Sequence, residues 1–312
     1  MNSSINTNSN NNPKISIGLP VYNAEKFLEE KITSLLNQTI EDFEIIISDN
    51  ASTDLTPKIC QKYLEKDERI KYFKQEKNMG FPWNFNFVLK EASGKYFLWT
   101  AADDIILPEF IEKNVAVLES NNKIVCSASQ VKSYGEKTND FSKIDSKGFL
   151  ERIWKKIIRK SAYLQNYSTC GPFEKKIRFY LRLRGHIQVF FGVYRTNQIQ
   201  KFFVSELEDC MDLATMLNGF KYGDYNILDE VLMYRYDGGT TSRGIFHYAK
   251  QTNSSFLDII FLHYPFFRWF WKNFGKKIFF KNIDCFIKQN FELGLYILVD
   301  IIRELKKRII SN

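Results

Sequence analysis

Strand and helix alternate four times between residues 15 and 100, and no other feature of the sequence limits the fold as much. Ile15 to Val21 reads as a short buried strand with Pro20 at its end. A helix follows from Ala24 to Gln38, with Leu28, Ile32, Leu35 and Leu36 on one stripe. Phe43 to Ser48 is a second strand, built on Ile45, Ile46 and Ile47. Asp54 or Thr56 starts a helix that carries Pro57 in its first turn and runs to Lys66. Ile70 to Phe73, a helix over Pro82 to Ala92 stopped by Ser93-Gly94, and Tyr96 to Thr100 complete the series. Such alternation predicts an α/β fold, a Rossmann-like, mostly parallel sheet flanked by helices on both faces. In open sheets of this kind ligands bind beyond the carboxyl ends of the strands.

The pattern changes after Pro108. A helix to Glu119 and a strand over Ile124 to Val131 precede a polar stretch reaching Lys147. From Glu151 to Arg195 there are 11 Lys and Arg against two acids, Glu151 and Glu174. Strands are expected at Val189 to Tyr194 and Ile227 to Tyr236, with a helix over Glu208 to Leu217. From Phe246 onward come amphipathic segments rich in Phe, Trp, Lys and Arg, a C-terminal helical extension. The expected division is a polar tail over 1–12, a catalytic unit over 13–245 and the extension over 246–312.

Composition excludes several classes. The chain carries 44 Lys and Arg against 36 Asp and Glu, a net charge of +8, and is 44% hydrophobic. That apolar content excludes a disordered chain. Cys60, Cys126, Cys170, Cys210 and Cys285 are odd in number and contain no Cys-x-x-Cys pair. Reduced thiols in a cytoplasmic setting are expected, not a disulfide framework or a zinc site. His186, His247 and His263 are too scattered for a zinc signature. Met1 to Asn12 lack the basic start and apolar stretch of a leader. Phe256 to Trp271, the most apolar stretch, is broken by Asp258, His263, Pro265 and Arg268, so membrane contact is expected to be peripheral. The basic block is expected to be a solvated face or an attractor of anionic lipid and phosphate, since no nucleic-acid module is present.

Four polar clusters follow the strands: Pro20-Val21-Tyr22-Asn23, Ser48-Asp49-Asn50-Ala51-Ser52-Thr53-Asp54, Asn78-Met79-Gly80 and Ala101-Ala102-Asp103-Asp104. Any one of them is ordinary loop chemistry, because Asn, Asp, Ser and Gly cap helices and turn chains. In this order and spacing the four resemble the N-terminal half of the family 2 glycosyltransferases, which use the A-type nucleotide-sugar fold. The resemblance covers residues 14 to 120, continues more loosely from 186 to 243, and is absent beyond. It implies a nucleotide-sugar-binding half over 13–120 and an acceptor half over 121–245. The implied reaction moves one sugar from a nucleotide donor, UDP-linked by preference, to a glycan or lipid-linked acceptor, with inversion and a divalent cation.

The residue types suit that chemistry. A nucleotide sugar leaves behind a diphosphate, whose charge a hard cation held by carboxylates neutralises. Asp103 and Asp104, carried to the sheet mouth by the apolar run Phe97-Leu98-Trp99, are oxygen ligands suited to Mg or Mn. The resemblance makes Asp104 the metal ligand and has Asp103 touch ribose or metal. Where the family often has an acid two positions before Asp103, this chain has Ala101. By the same resemblance Asp49 reads the base edge, a carboxylate accepting from base N–H groups. Pro20, Tyr22 and Asn23 wrap the nucleoside, with Tyr22 either stacked on the base or a core aromatic. Asn78 and Gly80 shape the loop beneath it, although Gly80 alone serves equally well as a turn.

An inverting transfer needs a base for the acceptor hydroxyl. The family places it on a helix in the second half, which points to Asp209, with Asp212 one turn along as the alternative. An acidic helix start that satisfies its own dipole is the competing explanation of both. Arg235, in Tyr234-Arg235 before the polar run Asp237 to Ser242, is expected to hold a phosphate or to make a structural ion pair. The Gln-x-x-Arg-Trp motif of processive synthases is absent, which favours single-sugar transfer. For Phe266, Phe267, Trp269, Phe270 and Trp271 with their cations, two uses are open: packing on the catalytic unit, or lying in an anionic membrane interface. A catalytically silent sugar-nucleotide-binding subunit is the alternative function. A nucleotidyltransferase ranks below it, because no Gly-rich basic loop follows the first strand.

Overall fold

The structure, a computed structural model, describes residues 12–135, 167–182, 187–208, 210–236, 238 and 263–291. Its first half follows the alternation closely. Strand β1 (Ile15–Val21), helix α1 (Leu28–Leu36), β2 (Phe43–Asp49), α2 (Thr56–Leu64), β3 (Ile70–Lys74), α3 (Phe81–Lys90) and β4 (Tyr96–Trp99) appear in order. Every residue of β2 and β4 is buried. Covering on both faces explains why these strands read as unbroken apolar runs. Helix α1 starts four residues later than the periodicity suggests. Residues from Ala24 form a preceding turn, closed by the Phe27 and Leu28 amides on the Ala24 carbonyl at 3.0 Å.

The sheet has eight strands in the order β3-β2-β1-β4-β7-β6-β8-β5. The pairings β3–β2, β2–β1 and β1–β4 are parallel. Beyond β4 the sheet is mixed. The short strand β7 (Val193–Arg195) runs antiparallel to both β4 and β6 (Ile124–Tyr134), while β6 is parallel to β8 (Asp224–Tyr236). A two-residue strand, β5 (Ile105–Ile106), pairs antiparallel with β8 and follows the Asp103-Asp104 turn directly. Pro20 sits in β1 past the last residue paired with β4, Gly18, so its missing N–H costs no bond on that side. At Gly18 α3 lies close on the sheet: a Cβ there would stand 2.7 Å from Val88 and 2.8 Å from Phe97.

Helices α4 (Phe110–Ser120), α5 (Phe173–Arg182), α6 (Thr196–Phe202) and α7 (Met211–Gly219) complete the body. The segment expected as one strand over Val189 to Tyr194 is instead a 3-10 turn (Ile187–Phe191) followed by β7. The reason is packing. The Phe190 ring stacks on Trp99 at 4.7 Å, and the Tyr194 hydroxyl donates to the Val189 carbonyl at 2.7 Å, which folds the apolar run back on itself. The helix expected over Glu208 to Leu217 starts at Met211, after Cys210 takes a left-handed conformation at φ 60°.

In the extension, α8 (Tyr264–Lys281) is kinked at Gly275 (φ 80°), and a further helical run covers 283–291. Of the two uses expected for its aromatics, Phe266, Trp269, Phe270 and Phe274 show packing. All four are buried, and each buried ring is worth about 1.5–3 kcal/mol. Trp269 Nε1 donates to Glu206 Oε1 at 3.0 Å, and Arg178 forms a forked pair with Asp284, at 3.0 and 2.8 Å. No helix among the described residues is long and apolar enough to cross a membrane. Nearly all of the tail 1–12, the polar stretch after Gly135, residues 151–166 and 183–186 of the basic block, and residues 246–262 and 292–312 lie outside the described residues.

Candidate active site

The loops after β1, β2 and β3 meet at the carboxyl edge of the parallel strands, and their short polar side chains tie them together. Asn23, left-handed at φ 49°, donates its amide to Ser52 Oγ at 2.8 Å, and its Oδ1 accepts the Thr53 amide at 2.9 Å. Asn50 forms a second clasp. Its Nδ2 donates to Asn78 Oδ1 at 2.8 Å and to the Gly80 carbonyl at 3.2 Å, and its Oδ1 accepts the Met79 amide at 2.8 Å. Asn78 Oδ1 also accepts the Gly80 amide at 2.9 Å. Gly80 itself sits at φ 88°, a conformation an L side chain resists, just before α3. Asn84, on α3, donates to the Ser48 carbonyl at 3.1 Å and holds that helix to the end of β2.

These bonds shape a bed, and Asp49 and Tyr22 lie on either side of it in opposite states. Asp49 is fully buried. Its Oδ1 accepts the Ser52 amide at 2.8 Å and its Oδ2 the Tyr72 hydroxyl at 2.9 Å. Each oxygen keeps one further lone pair. Tyr22 is 48% exposed, so of the two roles open to it the core aromatic falls away.

The acidic turn is more enclosed. Asp104 is 3% exposed and accepts the Tyr236 amide on Oδ1 at 3.3 Å, while Asp103 is the more open of the pair. The Tyr134 hydroxyl donates to the Asp103 carbonyl at 2.7 Å. Beneath the turn lies Lys31, which the sequence reading passed over. It is buried, and its Nζ donates to the Asp104 carbonyl at 2.8 Å. Its place was legible: three residues after Leu28 and four before Leu35, it falls inside the apolar stripe of α1, where a cation is out of pattern. Asn50 was equally findable as the residue next to Asp49, whereas the closing of Tyr134 and Tyr236 over the turn depends on β6 and β8 and has no local signal.

Electrostatics follow from this enclosure. Burial, and then the Asp103 charge, push the Asp104 carboxyl up to about 6, with Lys31 and Arg235 opposing. Burial also raises Asp103. Lys31 is lowered to about 8 by burial, against the pull of the two carboxylates. Asp212, in the first turn of α7, is raised by burial with Arg235 opposing, and its Oδ1 accepts the Leu213 amide at 2.7 Å. Arg235, on β8, is therefore within electrostatic reach of Asp103, Asp104 and Asp212 together. Among the described residues its side chain makes no hydrogen bond or ion pair, so the structural ion pair expected as its alternative role is not seen there. Asp209 and most of the run Asp237 to Ser242 lie outside the described residues.

Known proteins resemble this chain in sequence and in fold. The chain is 41% identical over 127 residues to an uncharacterised glycosyltransferase of Haemophilus influenzae, covering 41% of this chain and 39% of the relative. It is 40% identical over 114 residues to another, of Methanocaldococcus jannaschii, covering 36% and 39%. It thus spans about two fifths of the length of each of these relatives. Among solved structures, S. aureus TarS aligns over 80% of this chain and 40% of its own, at TM-score 0.52 and 21% identity, a likeness of fold. TarS 1–349 in complex with UDP aligns over 72% of this chain and 60% of its own, at TM-score 0.51 and 25% identity. The mixed sheet flanked by helices is thus the A-type glycosyltransferase fold. The family model Glycosyl transferase family 2 matches residues 16–180, more than half of the sequence and all of the loops described above, and the chain belongs to that family.

Proposed function

We propose that this protein transfers a single sugar from a nucleotide-sugar donor, UDP-linked by preference, to a glycan or lipid-linked acceptor, with inversion. The observation that carries this reading is the position of Arg235. One cation without an ion-pair partner among the described residues lies in the field of the acidic turn Asp103-Asp104 and of Asp212 on the helix expected to carry the base. In this reading Arg235 links the donor side, the acidic turn, to the acceptor side, the first turn of α7. Bound UDP in a structural relative of 25% identity supports the choice of donor.

The nucleoside is held by the bed of Pro20, Tyr22, Asn23, Asn78 and Gly80. Tyr22 supplies an exposed ring for the base, and the spare lone pairs of Asp49 accept its N–H. A divalent cation, Mg or Mn, suits the acidic turn. The Asp103 charge, after burial, raises the Asp104 carboxyl, and no group of three or more metal-ligating side chains occurs among the described residues. One or two carboxylates completed by phosphate and water is the usual way such ions are held. Asp104 and Asp103 would hold it, and it would neutralise charge on the departing diphosphate. Lys31 fixes the turn from below, and Arg235 binds phosphate oxygens from the β8 side. Asp209, or Asp212 in its place, takes the acceptor proton as its oxygen attacks the anomeric carbon. The setting proposed is the cytoplasmic face of a membrane, in polysaccharide or glycoconjugate synthesis.

The test is slow donor hydrolysis. Purified protein with Mn and a panel of nucleotide sugars should release free nucleotide from at least one donor, and Asp104→Ala should stop it. Donor binding without turnover, with any acceptor offered, would favour the silent binding subunit.

A further inference from the structure

Of the α8 aromatics that look suited to a membrane, Phe266, Trp269 and Phe270 are core residues and Phe267 and Trp271 are half-buried, but the same extension presents a further apolar surface. Phe280 is 59% exposed, Ile287 64% and Phe291 68%, with Ile283 also open. Ile283, Ile287 and Phe291 recur every four residues in the helical run 283–291, so they share one face. Phe280, exposed near the end of α8, stands just before the turn at Asn282 that leads into this run. Its ring packs edge-on against Trp271 at 5.5 Å, and Lys276 Nζ lies over the Trp271 ring at 5.7 Å. The opposite side of the run is fixed to the protein: Cys285, Phe286 and Gln289 are buried, and Gln289 Nε2 donates to the Leu181 carbonyl at 3.0 Å. The helix is therefore held in place with its apolar stripe outward.

Charge decides what that stripe fits. Residues 263–291 carry six cations (Arg268, Lys272, Lys276, Lys277, Lys281 and Lys288) and one acid, Asp284, which is tied to Arg178. Lys276 and Lys277 stand one helical turn before Phe280, and Lys288 neighbours Ile287. Large apolar side chains flanked by exposed lysines, with aromatic rings at the edge, match the boundary between anionic headgroups and acyl chains. A second copy of this chain would bring the same positive charges face to face.

We propose that Phe280, Ile283, Ile287 and Phe291 form a membrane-docking face that inserts into the headgroup layer of an anionic bilayer, with the surrounding lysines on lipid phosphates. The docking does not depend on the reading of the active site, and it would bring that site to a lipid-linked acceptor.

Flotation with the full chain tests it. Wild type should float with vesicles of phosphatidylcholine and phosphatidylglycerol, should stay behind with phosphatidylcholine alone, and should be released by salt. The double variant Ile287→Glu/Phe291→Glu should lower the partition coefficient about tenfold or more, while its UDP binding and its sedimentation as a folded particle match wild type. The milder Ile287→Ser/Phe291→Ser should fall in between. Wild type that fails to float, or glutamate variants that float as well as wild type, would overturn the proposal. So would a wild-type dimer that the variants dissociate without any vesicle binding, which would assign the face to self-association. Because UDP binding is read separately, loss of docking and failure of the donor reading give different results.

Discussion

The Lys31 ammonium, buried within α1, donates a 2.8 Å hydrogen bond to the main-chain carbonyl of Asp104. Helix α1 thereby holds the acidic turn by its backbone, while the Asp104 side chain accepts the Tyr236 amide on Oδ1 and keeps Oδ2 for other partners. Lys31→Met should remove both the bond and the nearest buried cation. The Asp104 carboxyl, already pushed up by burial and by Asp103, then rises further. The acidic limb of the pH profile of kcat/KM should move to higher pH in Lys31→Met. Lys31 itself is lowered to about 8. Between about 8 and 10.5 the folded state holds fewer protons than the unfolded one, so this group makes stability rise with pH in that window and contributes no slope below it.

Asp104 carries the opposite sign. Its folded carboxyl titrates at about 6 against an ordinary value of 3.8. From pH 4 to 6 the folded state holds the extra proton, so stability falls as pH rises through that window and stays lowered above it. Asp104→Asn should therefore be more stable than wild type at pH 7, by roughly 1–3 kcal/mol, in urea unfolding, while losing donor turnover. Wild-type donor turnover should fall as pH drops through about 6, and Asp103→Asn should move that limb to lower pH by removing the repelling charge. Equal stabilities of wild type and Asp104→Asn at pH 7 would show that the carboxylate is well solvated.

Asn50 clasps the loop after β3 through three hydrogen bonds. Asn50→Ala should cost about 1–3 kcal/mol, the penalty for buried partners left unmet. It should also raise the KM for donor with a smaller effect on kcat, because the bed loosens while the acidic turn is untouched. Steady-state kinetics with thermal unfolding on one preparation separates the two effects.

Tyr22 should behave in the reverse way. With 48% of its surface exposed, Tyr22→Ala should change stability by no more than about 0.5 kcal/mol. Loss of a stacking ring should weaken nucleotide binding by about 1–3 kcal/mol, read by calorimetry with UDP. Tyr22→Phe should bind as wild type does. A large fall in melting temperature with unchanged affinity would return Tyr22 to a structural role.

The base is decided by two variants. Asp209→Asn should lower kcat by at least about 100-fold with donor binding unchanged, and Asp212→Asn should cost less, since its Oδ1 is already used by the Leu213 amide. The reverse order would make Asp212 the base. In either case Arg235→Met should raise the KM for donor, and Arg235→Lys should recover part of it.

Much of the parallel half was legible because its signals are local. The apolar runs of β1, β2 and β4 could only be strands covered on both faces, and the loop chemistry of Asn23, Asp49, Asn78 and Asp103-Asp104 follows each strand in order. Lys31, a charge out of place in the apolar stripe of α1, carried an equally local signal, but only its burial against the Asp104 carbonyl gave it a role. What the chain alone did not disclose depends on partners distant in sequence. The 3-10 turn at Ile187–Phe191 exists because Phe190 stacks on Trp99, some ninety residues away. Arg235 comes within the field of the acidic turn because β8 pairs with β5, the strand that directly follows Asp103-Asp104. In the extension, periodicity marks two apolar faces with equal force, and only the docking of Phe266, Phe270 and Phe286 into the body decides which face is spent on the core and which is left for something else. Local propensity sets what an element is; burial against remote neighbours sets which way it faces, and the chemistry of this protein depends on that second choice.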